Sequence, residues 1–232
     1  MALPRLALSG LLLAAPLLSR AQSAEPAPAA PRFYVGLAAY HSNYQNLLSS
    51  RNGDTGFRVP VQLTAGYQLR PRLALELGAA YSGRTQSFTY DALYFINAGG
   101  PGPTYYTYAY SNTTTLRTTS VSALARYTLT RKPEHRFQVD ALGGLTLIHR
   151  SYYSRGTGGD DSSGTFQTAP YSYRGALDYL LLTAGLGLRY RLTPHVGLKF
   201  DFATNHDLMH WGAYYQFTGS AALGVQYRFG KR

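Results

Sequence analysis

The chain has 232 residues and a formal net charge of +11, with 45% hydrophobic residues and only 14% charged ones. It carries 21 Tyr and 24 Gly but no Cys, which excludes a disulfide scaffold, a thiolate metal site and a cysteine nucleophile. Sparse charge with many aromatics argues against disorder, and nothing past the N-terminus offers the roughly 18 consecutive apolar residues of a membrane helix.

The first residues read as a secretory signal peptide, 1–21. Met1–Arg5 is a short basic start and Leu6–Leu18 an almost unbroken apolar run. Ser19 and Ala21 flank Arg20 in the spacing a signal peptidase reads. Cleavage is expected after Ala21, with Ala24 as the alternative. Loss of Arg5 and Arg20, with no acid, lowers the net charge from +11 to +9. Residues 22–32 follow as a Pro/Ala-rich linker of extended, polyproline character.

From Phe33 onward apolar residues recur at period two, the mark of strands with two unlike faces. The first segment, Phe33–Tyr44, keeps Phe33, Val35, Leu37 and Ala39 in phase. The second sets Val61, Leu63, Ala65, Tyr67 and Leu69 against Gln62, Thr64, Gly66, Gln68 and Arg70. The third sets Leu73, Leu75, Leu77, Ala79 and Tyr81 against Ala74, Glu76, Gly78 and Ala80. The fourth opposes Val121, Ala123, Ala125, Tyr127 and Leu129 to Ser122, Leu124 and Arg126. The fifth opposes Phe137, Val139, Ala141, Leu145 and Leu147 to Gln138, Asp140, Gly144 and Thr146. The sixth, seventh and eighth centre on Leu180–Tyr190, Val196–Phe202 and Ala221–Phe229, with Arg189, Lys199, Asp201 and Arg228 on their polar faces.

The connections alternate in length. Arg70–Arg72, Thr130–Arg136 and Thr193–His195 are short, and each holds a proline that presets a turn dihedral. Gln45–Arg58, Ser82–Thr115, Ser151–Arg174 and Thr204–Gln216 are long and expected as loops. An even strand number with short turns at one end and long connections at the other predicts an all-β fold. It is an eight-stranded antiparallel up-and-down transmembrane β-barrel over 33–229, followed by a short tail, 230–232. Both ends of the barrel then lie on the short-turn, periplasmic side, and Pro60 falls at the outer tip of the second strand.

Side-chain bulk decides which face meets lipid. An eight-stranded interior has room only for side chains, so the Gly, Ala, Ser, Thr and Gln face suits the lumen. The Leu, Val, Phe and Tyr face suits lipid. Glu76, Asp140 and Asp201 then share the lumen with Arg126, Arg189, Lys199 and Arg228. Enclosed charges must pair, so a packed polar network plugging the centre is expected. Phe33, Tyr67, Tyr127, Phe137, Tyr190, Tyr227 and Phe229 form the expected periplasmic girdle, with Tyr40, Tyr81, Tyr152 and Tyr179 as candidates for the outer one.

In the final strand Ala222, Gly224, Tyr227 and Phe229 resemble the C-terminal signal of outer-membrane proteins, although Gly230–Lys231–Arg232 trails the aromatic. With the signal peptide and eight strands, the chain resembles the small OmpA/OmpX-like porin-family barrels, and within them the PorT-like barrel domain of Bacteroidetes. The resemblance spans about 33–229 and is one of architecture. It implies the outer membrane of a Gram-negative cell, contact with outer-membrane lipid and lipopolysaccharide, and recognition of the last strand by the barrel-assembly machinery.

Candidate chemistry is thin. Pairing Phe137 with Tyr190 puts His149 opposite Asp178 on the lipid face. Twelve residues at roughly 3.3 Å, tilted about 40°, raise the pair roughly 30 Å, near the outer headgroups. With Thr115 or Ser151 as a hydroxyl nucleophile, such a pair would suit a lipid A-modifying enzyme. Two polar residues in the headgroup zone is the favoured reading, so no catalytic residue, cofactor or metal is assigned. His206, Asp207 and His210 carry metal-ligand spacing, as a helical turn would. They sit among Trp211, Tyr214 and Tyr215, and an ordinary loop is favoured. Asp160 and Asp161 lie in a Gly/Ser-rich tip lacking the oxygen ligands of a calcium loop. The tyrosines of Thr104–Tyr110 suit stacking on glycans or proteins, or a strand standing above the membrane. Basic residues beside anionic lipid explain the net charge without nucleic acid. The expected protein is a non-enzymatic structural or binding barrel acting through its extracellular connections. The alternatives are a lipid-modifying enzyme and a small-solute porin.

Overall fold

The computed structural model describes residues 32–47, 55–56, 59–96, 104–132, 135–160, 167–209 and 217–230. Residues 1–31, where the signal peptide and most of the linker are expected, and Lys231–Arg232, Asp161, His210, Trp211, Tyr214 and Tyr215 lie outside them. Eight antiparallel strands follow one another around a closed barrel: β1 (Phe33–Ser42), β2 (Val61–Arg70), β3 (Leu73–Ile96), β4 (Thr104–Thr128), β5 (Phe137–Asp160), β6 (Gln167–Arg191), β7 (Val196–Asp207) and β8 (Phe217–Phe229). Closure comes from β1 against β8, with Phe33 opposite Phe229 and Ser42 opposite Ser220. A closed cylinder leaves no strand edge within the bilayer, so backbone donors and acceptors are satisfied where no water can serve them.

Period-two alternation sets the two faces. On β8 Leu223, Val225 and Tyr227 are exposed while Ser220, Ala222 and Gln226 are buried in the lumen. The periplasmic aromatics pack side by side around the lower rim. Phe33 lies 5.0 Å from Tyr67 and 6.0 Å from Phe229 between ring centroids. On β5 the outward apolar residues run from Phe137 to Leu147. At the usual strand rise and tilt that is about 25 Å of height, the thickness of an outer-membrane apolar band.

Three expectations need correction. The connections Ser82–Thr115 and Ser151–Arg174, expected as loops, are largely strand. The β3–β4 and β5–β6 pairings continue in register to Ile96–Thr104 and Asp160–Gln167. Thr204–Asp207 likewise belongs to β7. These segments carry β-branched and aromatic residues, which favour strands. Their apolar side chains do not continue the outward phase set lower down, so periodicity hides them. Second, Tyr40, Tyr152 and Tyr179 are not in the outer girdle. Each has the inward parity of its strand, and Tyr40 is 8% exposed inside the barrel. Tyr81 alone of the four candidates faces outward. The lumen is also less uniformly small than expected, since Leu142, Ile148 and Leu181 are buried there.

Pro60 precedes β2, and its carbonyl accepts from the Tyr40 N–H at 2.8 Å. Opposite Tyr40, it cannot return the second hydrogen bond of that pair, and its place just before the first residue of β2 limits the loss to the end of the ladder.

Candidate functional site

Three features of the barrel bear on function: a lumen crossed by a charge network, a four-stranded sheet raised above the membrane, and a His–Asp contact on the outer wall.

The lumen network centres on Arg126 of β4, 2% exposed. Its guanidinium donates to Asp140 Oδ2 at 3.1 Å, to Asp201 Oδ1 at 3.0 Å and Oδ2 at 2.7 Å, and to Glu76 Oε2 at 3.3 Å. Lys199 Nζ closes the other side, 2.6 Å from Glu76 and 3.1 Å from Asp201. Arg189 binds Asp140 through both Nε and Nη2, the latter at 2.6 Å. Three carboxylates thus meet three cations, and each carboxylate touches two of them. Such pairing offsets the desolvation that an isolated buried charge would suffer. Arg228, expected in this network, lies half-buried toward the periplasmic mouth and makes no ion pair with the described residues. Asp201 is level with Ala222 of β8, well above Arg228 on that strand.

Two members escaped the sequence. Tyr34 donates its phenol to Glu76 Oε2 at 3.0 Å, reaching from β1 over Gly66 of β2 to β3. A Cβ at Gly66 would lie 2.0 Å from the Tyr34 ring, so only glycine leaves room. Thr128 donates to Asp140 Oδ1 at 2.9 Å and accepts from Arg189 Nη2 at 2.8 Å. The signal for Tyr34 was its inward parity beside a glycine on the next strand.

Above the charges a cavity of about 40 Å³ lies among Glu76, Gln62, Ser122, Thr146 and Asp201. That is room for one or two waters at a polar site. A ladder then crosses the barrel from Thr146 through Thr183 and Asn205 to Ser220, at 2.8, 2.8 and 3.1 Å. The outer mouth is capped by the turn after β1. Gln45, 1% exposed, donates to the Thr118 carbonyl at 3.1 Å and accepts from Ser120 Oγ at 3.0 Å. Beside it Tyr44 packs on Tyr179, ring centroids 4.8 Å apart. Burial, helped by the Asp207 carboxylate, pushes the Tyr44 phenol up to about 12.

Beyond the apolar band β3–β6 are the strands that continue among the described residues, with Thr55 bridged to Thr85 at the β3 edge, and the two faces exchange character. The inward face turns aromatic, with Phe88, Tyr90, Tyr108, Tyr110, Tyr171 and Tyr173. Tyr110 lies 5.6 Å from Tyr171 and 6.2 Å from Tyr108, each pair within 11° of parallel. Phe88 joins them at 5.6 Å. The outward face turns to hydroxyls, paired across strands as Thr85–Thr115, Ser87–Thr113 and Ser111–Thr157 at 2.9 to 3.1 Å. The Thr104–Tyr110 run is therefore strand.

The exchange occurs at one outward row: Tyr81, Thr119, His149 and Asp178 on β3 to β6. His149 Nδ1 lies 2.7 Å from Asp178 Oδ1, and both side chains are more than half exposed. Ser151 shares their face two residues further up β5, whereas Thr115 is engaged with Thr85. No described hydroxyl hydrogen-bonds to His149. Elsewhere His206 faces outward, its ring tilted against Phe217 at 4.7 Å, while Asp207 turns inward, so the two cannot share a metal. Among the described residues no three His, Asp or Glu side chains are placed to hold a metal ion.

A closed antiparallel cylinder with an apolar wall and a charged, capped interior defines a membrane-spanning β-barrel of the outer-membrane class. The chain belongs to the outer membrane protein beta-barrel domain family, which matches residues 10–229, and its place is the bacterial outer membrane. Similar solved structures include the N-terminal barrel domain of Pseudomonas aeruginosa OprF, 15% identical over 84% of this chain and 97% of that one, TM-score 0.43. OprG of the same organism is 14% identical over 87% and 97%, TM-score 0.44. A major outer membrane protein of Thermus thermophilus is 15% identical over 87% and 100%, TM-score 0.44. No curated protein matches the chain.

Proposed function

We propose that this protein is a non-enzymatic outer-membrane binding barrel whose lumen is sealed and whose working surface is the raised β3–β6 sheet. The observation that carries the reading is the near-parallel set Tyr108–Tyr110–Tyr171 with Phe88 on an exposed face. Flat rings with hydroxyl tips give large contact area at low conformational cost, and soluble surfaces rarely leave such patches without a partner. The Arg126 network and the Gln45 cap support a sealed interior over a solute pore. Membership of the PorT-like group is part of this proposal and rests on the eight-strand architecture, while Gly224, Tyr227 and Phe229 of the last strand would carry the barrel-assembly signal. The test measures retention of extracellular-matrix proteins and immobilised glycans by cells displaying the wild type or the triple variant Y108S/Y110S/Y171S. Loss of one retained ligand in the variant is expected, while equal retention of every probe removes the aromatic face from the function.

One observation favours a second reading. The 2.7 Å contact of His149 with Asp178 sits where acyl chains meet headgroups, with Ser151 on the same face. A carboxylate that orients an imidazole beside a hydroxyl is the arrangement of acyl-transfer enzymes, which would act here on outer-leaflet lipid A. Mass analysis of lipid A from cells carrying wild type or His149→Ala decides it. An acyl change lost in the variant supports the enzyme, and identical profiles remove it.

A further inference from the structure

Among the described residues the outward wall above the apolar band carries its arginines on one side. Arg117 on β4, Arg155 on β5 and Arg174 on β6 are exposed and have the outward parity of their strands. They form one patch. Arg117 is level with Ser151, Arg174 with Tyr153 one outward row higher, and Arg155 with Ser172 one row above that. Successive outward rows are about 7 Å apart and neighbouring strands about 5 Å. Arg84 and Arg150 have inward parity. The outward positions of β3 above Tyr81 and of β7 above Phe202 hold no arginine or lysine among the described residues.

None of the three guanidiniums has a carboxylate partner among the described residues. The nearest outward acid by register, Asp178, is held by His149 at 2.7 Å. Around them stand Ser151, Thr115 and Tyr153, all able to hydrogen-bond. The patch begins in the row just above His149, at the height where the apolar wall of Leu147 and Leu180 has ended. Long arginine stems let the charged ends settle to the headgroup level.

We propose that Arg117, Arg155 and Arg174 form a site for the phosphate groups of an anionic outer-leaflet lipid, whose acyl chains lie on the β4–β6 wall below. Guanidinium matches phosphate in charge and in its paired donors, and three of them on a curved wall hold a headgroup more firmly than scattered lysines would. The apolar residues Val121, Leu145, Leu147, Leu180 and Leu182 directly beneath supply the surface for the chains. A soluble anion would gain nothing from that wall. The site depends on the barrel's membrane setting and is independent of the aromatic face, which looks the other way.

The test uses the mature protein folded in detergent micelles, titrated with bis-phosphorylated lipid A and read by native mass spectrometry. Heat-modifiable gel migration checks that each variant is folded. One lipid per barrel is expected, with affinity lowered roughly tenfold or more in R117Q/R155Q/R174Q, since each arm is a charge-assisted hydrogen bond. The inward pair R84Q/R150Q should bind as the wild type does, and dephosphorylated lipid A should bind wild type no better than the triple variant. Equal binding of lipid A to wild type and triple variant would overturn the site, as would equal binding of the dephosphorylated lipid. Displacement of lipid A by inorganic phosphate at matching concentration would also overturn it, by showing a soluble-anion site.

Discussion

Arg126 and Asp201 stand 75 residues apart in sequence, on β4 and β7, and meet across the barrel through two parallel hydrogen bonds of 3.0 and 2.7 Å. The fork of the guanidinium fits the carboxylate edge to edge, and the same cation also serves Asp140 and Glu76. One residue therefore fixes the spacing of four strands. Arg126→Met should leave three carboxylates with only Arg189 and Lys199 between them. A loss of about 3–5 kcal/mol in unfolding free energy is expected by urea titration in lipid vesicles. A loss below roughly 1 kcal/mol would show that the network is not what holds the lumen.

Tyr34 and Gly66 form a second test. Tyr34→Phe removes the bond to Glu76 and should cost about 1–3 kcal/mol, since the carboxylate stays buried. Gly66→Ala forces the Tyr34 ring away from the same place. The two changes should be clearly non-additive in a double-mutant cycle. Simple additivity would mean that Gly66 matters for some reason other than making way for the ring.

The face assignment can be tested by charge. Leu186→Arg puts a guanidinium on the lipid-facing wall at mid-height and should cost about 2–4 kcal/mol. Gln138→Glu adds a carboxylate inside, next to Arg189 across the β5–β6 pairing, and should be milder. Equal penalties by vesicle unfolding would contradict the orientation of the wall.

The seal predicts silence. Purified wild-type barrel in a planar bilayer should show no steady current at moderate voltage. Gln45→Gly combined with Arg126→Met opens the cap and the charge layer together, and brief current steps should appear. Steady conductance from the wild type would show that ions pass the Arg126 layer.

The lower half of the barrel was legible because lipid demands a uniform outer face. Val61–Arg70 alternates cleanly, and the structure gives β2 those bounds. Matching the rim aromatics Phe137 and Tyr190 was enough to set the β5–β6 register, which carries His149 to Asp178 twelve residues away. The upper half was hidden because the apolar phase reverses there. In β5 the outward series ends at Leu147, and the next aromatics fall on both parities, Tyr152 inward and Tyr153 outward. Tyr40 and Tyr179 have the aromatic type and height of girdle residues, but the parity of their own strands turns them into the lumen. Tyr34 and Thr128 went unseen because phenols and hydroxyls carry no charge to mark them as members of an ionic cluster. Arg228 was over-assigned because parity alone says nothing of depth.

The single row at which the wall changes from oily to hydroxylated has a mechanical consequence. Sinking the barrel by one more row would drag Thr119, His149 and Asp178 into hydrocarbon, while lifting it would wet Leu147 and Leu180. The protein should therefore ride at a fixed depth and make the surrounding leaflet adjust, thinning bilayers that are too thick in place of tilting to suit them.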